Sequence, residues 1–256
     1  MEHKVVFDKL VNKLAMKEKK IFLLQIGAFD GVTSDPLHNH IKKKNISGVL
    51  IEPIDYYYKK LVNNYKKIKY SGNLIFENIA ITEEYGYKYI NWVNPIKLKN
   101  KKLPKWYSGH SSFMDKHTPD LGGWGHSNVS EKLKVKTMKL DDLIKKNKIE
   151  KIDIYQSDTE GYDVKILKQL DLNKFTPYII NIESNKLTNE EILYCKNIFD
   201  KNNYSHINFY KPNDNLLKNS NNSASSIYVE NTLGLEKNKI KNGIDWLAWK
   251  NIELEL

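Results

Sequence analysis

The sequence holds a single cysteine, Cys195, so it can build neither a disulfide framework nor a cysteine zinc site. The neighbours Ile192, Leu193 and Ile198 cast that thiol as a small buried hydrophobe. No stretch is long and apolar enough to span a membrane. Residues 1–20 lack the apolar centre of a secretory signal and read as an N-terminal amphipathic helix, with Val6, Leu10 and Leu14 on one side. A cytoplasmic protein is the expectation. No internal repeat is present. A concentrated basic stripe is missing too. Lys+Arg 41 against Asp+Glu 31 gives +10, but the lysines are spread along the chain. That spread suits solvated faces better than a grip on nucleic acid. Also missing is the three-glycine turn of dinucleotide-binding folds, which counts against a nicotinamide oxidoreductase.

At 256 residues and 40% hydrophobic content, the chain can bury the core of one large α/β domain. The stretch that organises it is Ile21-Phe22-Leu23-Leu24-Gln25-Ile26-Gly27-Ala28-Phe29-Asp30-Gly31. An apolar run of strand length stops at Gly27, turns through Asp30-Gly31 and feeds a helix from Leu37 to Lys44. About twenty residues on, a second apolar run, Gly48 to Ile51, ends in Glu52. An acid there is where a ribose finds its hydrogen-bond acceptor. A Gly-x-x-x-Gly turn brings no pyrophosphate cradle. It suits adenosine bearing an amino-acid tail, as in S-adenosylmethionine.

Further along, the pattern predicts a helix over 55–67 with Asp55 as its N-cap, a third strand over 74–81 and an antiparallel strand over 86–93. Regular periodicity disappears from 94 to 130, where aromatics and three histidines, His110, His117 and His126, sit among prolines and glycines. We expect a lid or acceptor-binding insertion there. Strands follow over 133–138, 152–157 and 178–182, with helices over 140–146, 162–170 and from Thr188 to about Lys201. Segments 204–210 and 225–230 are expected to close the sheet as an antiparallel pair, and the tail, 231–256, to pack back on the domain through Trp246 and Trp249. The fold class is therefore α/β, a Rossmann-like doubly wound, mostly parallel sheet in a single domain.

Glu52, Asp158, Glu160 and Glu183 fall at or just beyond the carboxyl ends of these strands, the edge along which such sheets bind ligands. In order along residues 20 to 185, the chain then presents Ile26-Gly27-Ala28-Phe29-Asp30-Gly31, Ile51-Glu52-Pro53, Asn78-Ile79-Ala80 and Ser111-Ser112-Phe113. Next come Val135 to Leu143, Asp158-Thr159-Glu160-Gly161-Tyr162-Asp163 and the strand ending at Glu183. This ordered set resembles the FkbM-type family of S-adenosylmethionine-dependent methyltransferases. The resemblance implies O-methylation of a hydroxyl on a sugar, glycan or related small molecule. It departs at one point, since the family usually carries Lys two residues before the Asp and this chain has Gln156.

The candidate cofactor contacts are Gln25, Gly27, Ala28 and Asp30 in the first turn, with Glu52 and Pro53 after the second strand. Asn78, Ile79 and Ala80 would flank the adenine, and Ser112 and Asp158 would complete the cleft. Ser111, Trp124, Glu160 and Glu183 are candidates for the acceptor side. Methyl transfer is an in-line displacement, so the protein must chiefly align groups and take up one proton. Asp158 is a catalytic candidate for orienting the acceptor, and His110, then His126, for the base. No metal ligand is assigned. A divalent cation on these carboxylates is the lesser option. The competing reading is a basic nucleic-acid-binding module or RNA methyltransferase.

Overall fold

The structure is a computed structural model and describes residues 3–103, 105–115, 128–209 and 245–253. Along the chain, α1 (His3–Lys17) leads to β1 (Ile21–Ile26), α2 (His38–Lys43), β2 (Ile46–Ile51), α3 (Asp55–Lys66) and β3 (Leu74–Glu77). A short β4 (Ala80–Ile81), β5 (Gly86–Val93), α4 (Pro95–Asn100), a 3-10 turn (Lys105–Gly109) and β6 (Ser130–Met138) follow. The chain then forms α5 (Leu140–Lys146), β7 (Ile154–Ser157), α6 (Asp163–Leu167), β8 (Ile179–Glu183), α7 (Asn189–Lys201), β9 (Ser205–Asn208) and β10 (Asp245–Trp249).

Seven strands make the main sheet in the order β3-β2-β1-β7-β8-β10-β9, with β10 antiparallel to both neighbours. Adjacent residues on one strand serve opposite faces. Leu23 packs with Phe7, Leu10 and Leu14 of α1 and with Leu61 of α3. Leu24 packs with Leu143 of α5, Val164 of α6 and Phe199 of α7. With both faces covered, the strands must be apolar almost throughout, which is why β1 and β2 read as continuous runs. Each fully buried Leu or Ile contributes about 1.5–3 kcal/mol to this three-layer packing. Cys195 is fully buried in the core on the α7 side, as a small hydrophobe.

Four local expectations change. Residues 74–81 are not one strand. The chain turns after β3, and β4 pairs with β6 in a separate three-stranded sheet, β4-β6-β5. At that turn the Asn78 amide donates to the Glu52 and Pro53 carbonyls at 2.9 and 3.1 Å. Asp55 is the first residue of α3 rather than its cap; Ile54 holds the cap position, and its N–H is taken by Glu52 Oε1 at 2.9 Å. The described residues between 94 and 130 are more regular than their composition suggests. The Asn94 side chain caps α4 by accepting from the Ile96 and Lys97 N–H groups, and Pro95 suits the first turn. The partner of β9 is β10, with Ile207 opposite Leu247. Trp246-Leu247-Ala248-Trp249 is buried throughout, the signature of a strand covered on both faces. Residues 225–230 lie outside the described residues.

Candidate functional site

Strand order reverses between β1 and β7, and the site grows from that switch point. Gly27 ends β1 with φ +80, and a Cβ there would stand 1.9 Å from the Asp158 carbonyl oxygen. Only glycine lets the two strand tips close on each other. The Asp158 N–H donates to the Ile26 carbonyl at 3.0 Å, and the Gly27 and Ala28 N–H groups both reach the Ile51 carbonyl, at 3.0 and 2.9 Å. Three strand tips are thereby locked together around one edge.

Asp30 builds the turn that follows. Its Oδ1 accepts from the Val32 and Thr33 N–H groups at 3.0 and 2.7 Å, and the Thr33 hydroxyl donates to Oδ2 at 2.8 Å. Glu52 is almost fully buried, and its two oxygens accept from Phe29 N–H and Ile54 N–H, each at 2.9 Å. Burial pushes its carboxyl up to about 8, against the pull of those two N–H groups, with nearby Asp30 adding to the rise.

These tips border a cavity of about 1000 Å³. Gln25, Gly27, Ala28, Asp30, Glu52 and Pro53 line it, with Ile79 and Ala80. His110, Ser111, Asp158 and Glu160 line it as well. Asn78 and Ser112 are committed to the scaffold and do not line the cavity. Ser112 pairs through its backbone with Asn91, and its hydroxyl donates to the Glu160 carbonyl at 2.8 Å. This contact ties the segment carrying His110 and Ser111 to the loop after β7. The Ser111 hydroxyl accepts from Val93 N–H at 3.1 Å. Trp124 and His126, with His117, lie outside the described residues.

Glu160 adopts the left-handed conformation, φ 54, which returns its side chain toward the strand tips. His110 Nδ1 lies 3.1 Å from Glu160 Oε1, and Lys186 Nζ lies 3.6 Å from Oε2. Asp158, Glu160 and Glu183 each offer a carboxylate oxygen within 4.8 Å of the others. Asp158 is exposed to the cavity, whose walls still desolvate its carboxylate, whereas Glu183 is buried. Burial holds both carboxyls well above the usual range, reinforced at each by Glu160 and Asp163 and opposed by Lys186. Asp163, which opens α6, is pushed up to about 6, mainly by burial.

Sequence reasoning passed over Lys186, although a lysine three residues past a strand-end acid was a usable signal. It also passed over Asp35, which lines the cavity and accepts from Leu37 N–H at 2.8 Å. Gln156 lies on the cavity wall, and its Oε1 accepts from the Asn181 amide at 2.7 Å.

A mostly parallel α/β sheet, covered on both faces and carrying an acid-lined cavity at its switch point, defines a Rossmann-like fold. Within that class the family model described as the methyltransferase FkbM domain matches residues 25–209, and the chain belongs to that family. Among solved structures, the methyltransferase FkbM of Methylobacillus flagellatus KT is 14% identical, with 73% of this chain and 39% of that one covered at a TM-score of 0.45. The chain thus spans about two fifths of that protein. A precorrin-6y C5,15-methyltransferase of Geobacter metallireducens GS-15 is 12% identical, with 79% and 72% covered at a TM-score of 0.36. No curated protein matches the chain. Among the described residues, no helix is long and apolar enough to cross a membrane.

Proposed function

We propose that the chain is an S-adenosylmethionine-dependent O-methyltransferase acting on a hydroxyl of a sugar, glycan or related small molecule. The observation that carries this reading is Glu52, a buried acid at the tip of β2, facing a cavity that also holds Asp158 and the His110–Glu160 pair. On this reading Glu52 accepts the ribose hydroxyls through its free lone pairs, and Ile79 and Ala80 flank the adenine. The tail lies along Gln25 to Ala28. Asp158 faces the methyl group and either orients the acceptor or pairs with the cofactor's ammonium.

His110 takes the acceptor proton. Glu160, on Nδ1, orients the ring and stabilises the imidazolium that forms, so Nε2 is the nitrogen that would face the acceptor. Residues 94–130 supply the acceptor side. Lys60, Lys99 and Lys102 on the cavity wall favour an acceptor carrying phosphate or carboxylate, such as a nucleotide sugar. The deciding experiment is methyl transfer from labelled S-adenosylmethionine to a panel of nucleotide sugars and oligosaccharides, with an oligoribonucleotide as the competing acceptor. Label on the oligoribonucleotide alone would overturn the glycan reading.

Two further outcomes follow from this arrangement. The ribose hydroxyls bind the ionised form of Glu52, so affinity for 5′-methylthioadenosine should rise with pH. For a group at about 8, the ionised fraction grows about tenfold between pH 7 and pH 9. Glu52→Gln should weaken binding at pH 9 by about 1.5–3 kcal/mol, the scale of a hydrogen bond to a charged group, and flatten the profile. Titration calorimetry of both proteins reads this, and a steep profile retained in the variant removes Glu52 from the ribose site. The sign for stability is the opposite. A carboxyl raised on folding stabilises below its unfolded value and loses that contribution as pH rises through about 8. Second, if α4 walls the acceptor site, tryptic cleavage around Lys97 to Lys102 should slow with S-adenosylhomocysteine plus acceptor. Equal cleavage with and without ligands excludes that role.

A further inference from the structure

We propose that Asp158, Glu160 and Glu183 form a binding site for one hard divalent cation of the magnesium or manganese class on the cavity floor. The geometry is close to a coordination shell. The three carboxylate oxygens lie within 4.8 Å of one another. Oxygens around a magnesium ion at about 2.1 Å stand roughly 3.0–4.2 Å apart. Side-chain rotations that move each oxygen by less than about 1 Å would close the set.

A second observation points the same way. Glu183 is 3% exposed, and among the described residues its Oε2 has no hydrogen-bond partner. A buried oxygen left without a donor is costly. This one belongs to a group with two further carboxylates close by, Asp158 and Glu160, which are acceptors as well when ionised. Lys186 and His110 stand beside Glu160, at 3.6 and 3.1 Å, and neither donates to Glu183 Oε2. A cation between the three carboxylates would satisfy that oxygen and offset the like charges together.

The donor set selects the ion. It is all oxygen, and the nearby imidazole has its Nδ1 engaged by Glu160, so magnesium, manganese or calcium fits better than zinc. Asp158 opens into the cavity, so the remaining coordination positions face the space where an acceptor would lie. There a bound ion would hold the acceptor hydroxyl in line and lower its pKa, leaving His110 to receive the proton. That role rests on the methyltransferase reading; the binding of the ion does not.

The test therefore reads binding without cofactor or acceptor. Chelator-treated full-length protein is titrated with manganese chloride, and the free-ion electron paramagnetic resonance signal is followed. One saturable site is expected, competed by magnesium and weakened about tenfold or more in both Glu183→Gln and Asp158→Asn. Metal-free Glu183→Gln should melt no lower than wild type, because Gln keeps the shape of Glu and brings no charge to a crowded cluster. Should it fail to fold, Asp158→Asn, at the open side of the site, carries the test. Absence of saturable uptake, or uptake unchanged in the folded variants, overturns the proposal. Saturable uptake without any methyl transfer would leave the site standing and bring down the functional reading instead.

Discussion

Gly27→Ala is expected to destabilise the protein by about 2–5 kcal/mol. The estimate combines about 1–2 kcal/mol for an L-residue held at positive φ with about 1–3 kcal/mol for forcing a methyl into a packed site. The methyl would stand 1.9 Å from the Asp158 carbonyl oxygen and 2.9 Å from its carbon. Both are backbone atoms, and Asp158 is itself tied to Ile26 at 3.0 Å, so the neighbour cannot swing aside. The β1 and β7 tips would have to part, opening the edge that carries the site. Gly109→Ala is the control, since a Cβ there meets nothing within 4 Å. Urea unfolding of the two variants measures the contrast. A Gly27→Ala midpoint within error of wild type would show that the tips are not in contact.

For His110→Ala, turnover on the identified acceptor should fall about 10²-fold or more, the usual range for a lost general base. Affinity for S-adenosylhomocysteine should remain nearly intact, because His110 contacts Glu160 and is not among the hydrogen-bond partners of Glu52. Single-turnover methyl transfer and titration calorimetry separate the two effects. Turnover within threefold of wild type in both His110→Ala and His126→Ala would assign the proton to a carboxylate, to metal-bound hydroxide or to solvent. A parallel loss of cofactor affinity in His110→Ala would instead mark the residue as part of the fold around the cleft.

Both predictions concern residues singled out from the sequence, and for Gly27, as for Ser112 and Asn78, the tertiary structure supplies a further reason. Gly27 is expected from the sequence as a cofactor contact in the first turn. The position is already constrained by protein alone, through its φ of +80 and the Asp158 carbonyl. Ser112 was expected at a ligand and instead holds the Glu160 backbone at 2.8 Å, which brings His110 to the acids. Asn78 likewise serves the two carbonyls of Glu52 and Pro53. For Ser112 and Asn78 the residue type was right for a hydrogen bond, and only the folded arrangement said to what.

By itself the sequence determined the elements whose signals are local. The apolar runs of β1, β2, β7 and β8, the capping box at Thr188 and Glu191 and the turn after Gly27 depend on residues within a few positions of one another. So does the placing of Glu52 and Asp158 at strand ends, which follows from strand length and order. What only the tertiary structure decided is whatever depends on pairing between distant segments. The insertion of β10 between β8 and β9 sets Ile182 against Trp246 across 64 positions, and no local periodicity encodes that register. The meeting of His110 with Glu160 depends on the Asn91–Ser112 bridge and on a left-handed residue at Glu160. The convergence of Asp158, Glu160 and Glu183 within 4.8 Å depends on β7 and β8 lying side by side in parallel. Hydrophobic patterning specifies which faces are buried, while long-range register and turn geometry specify which polar groups then face one another.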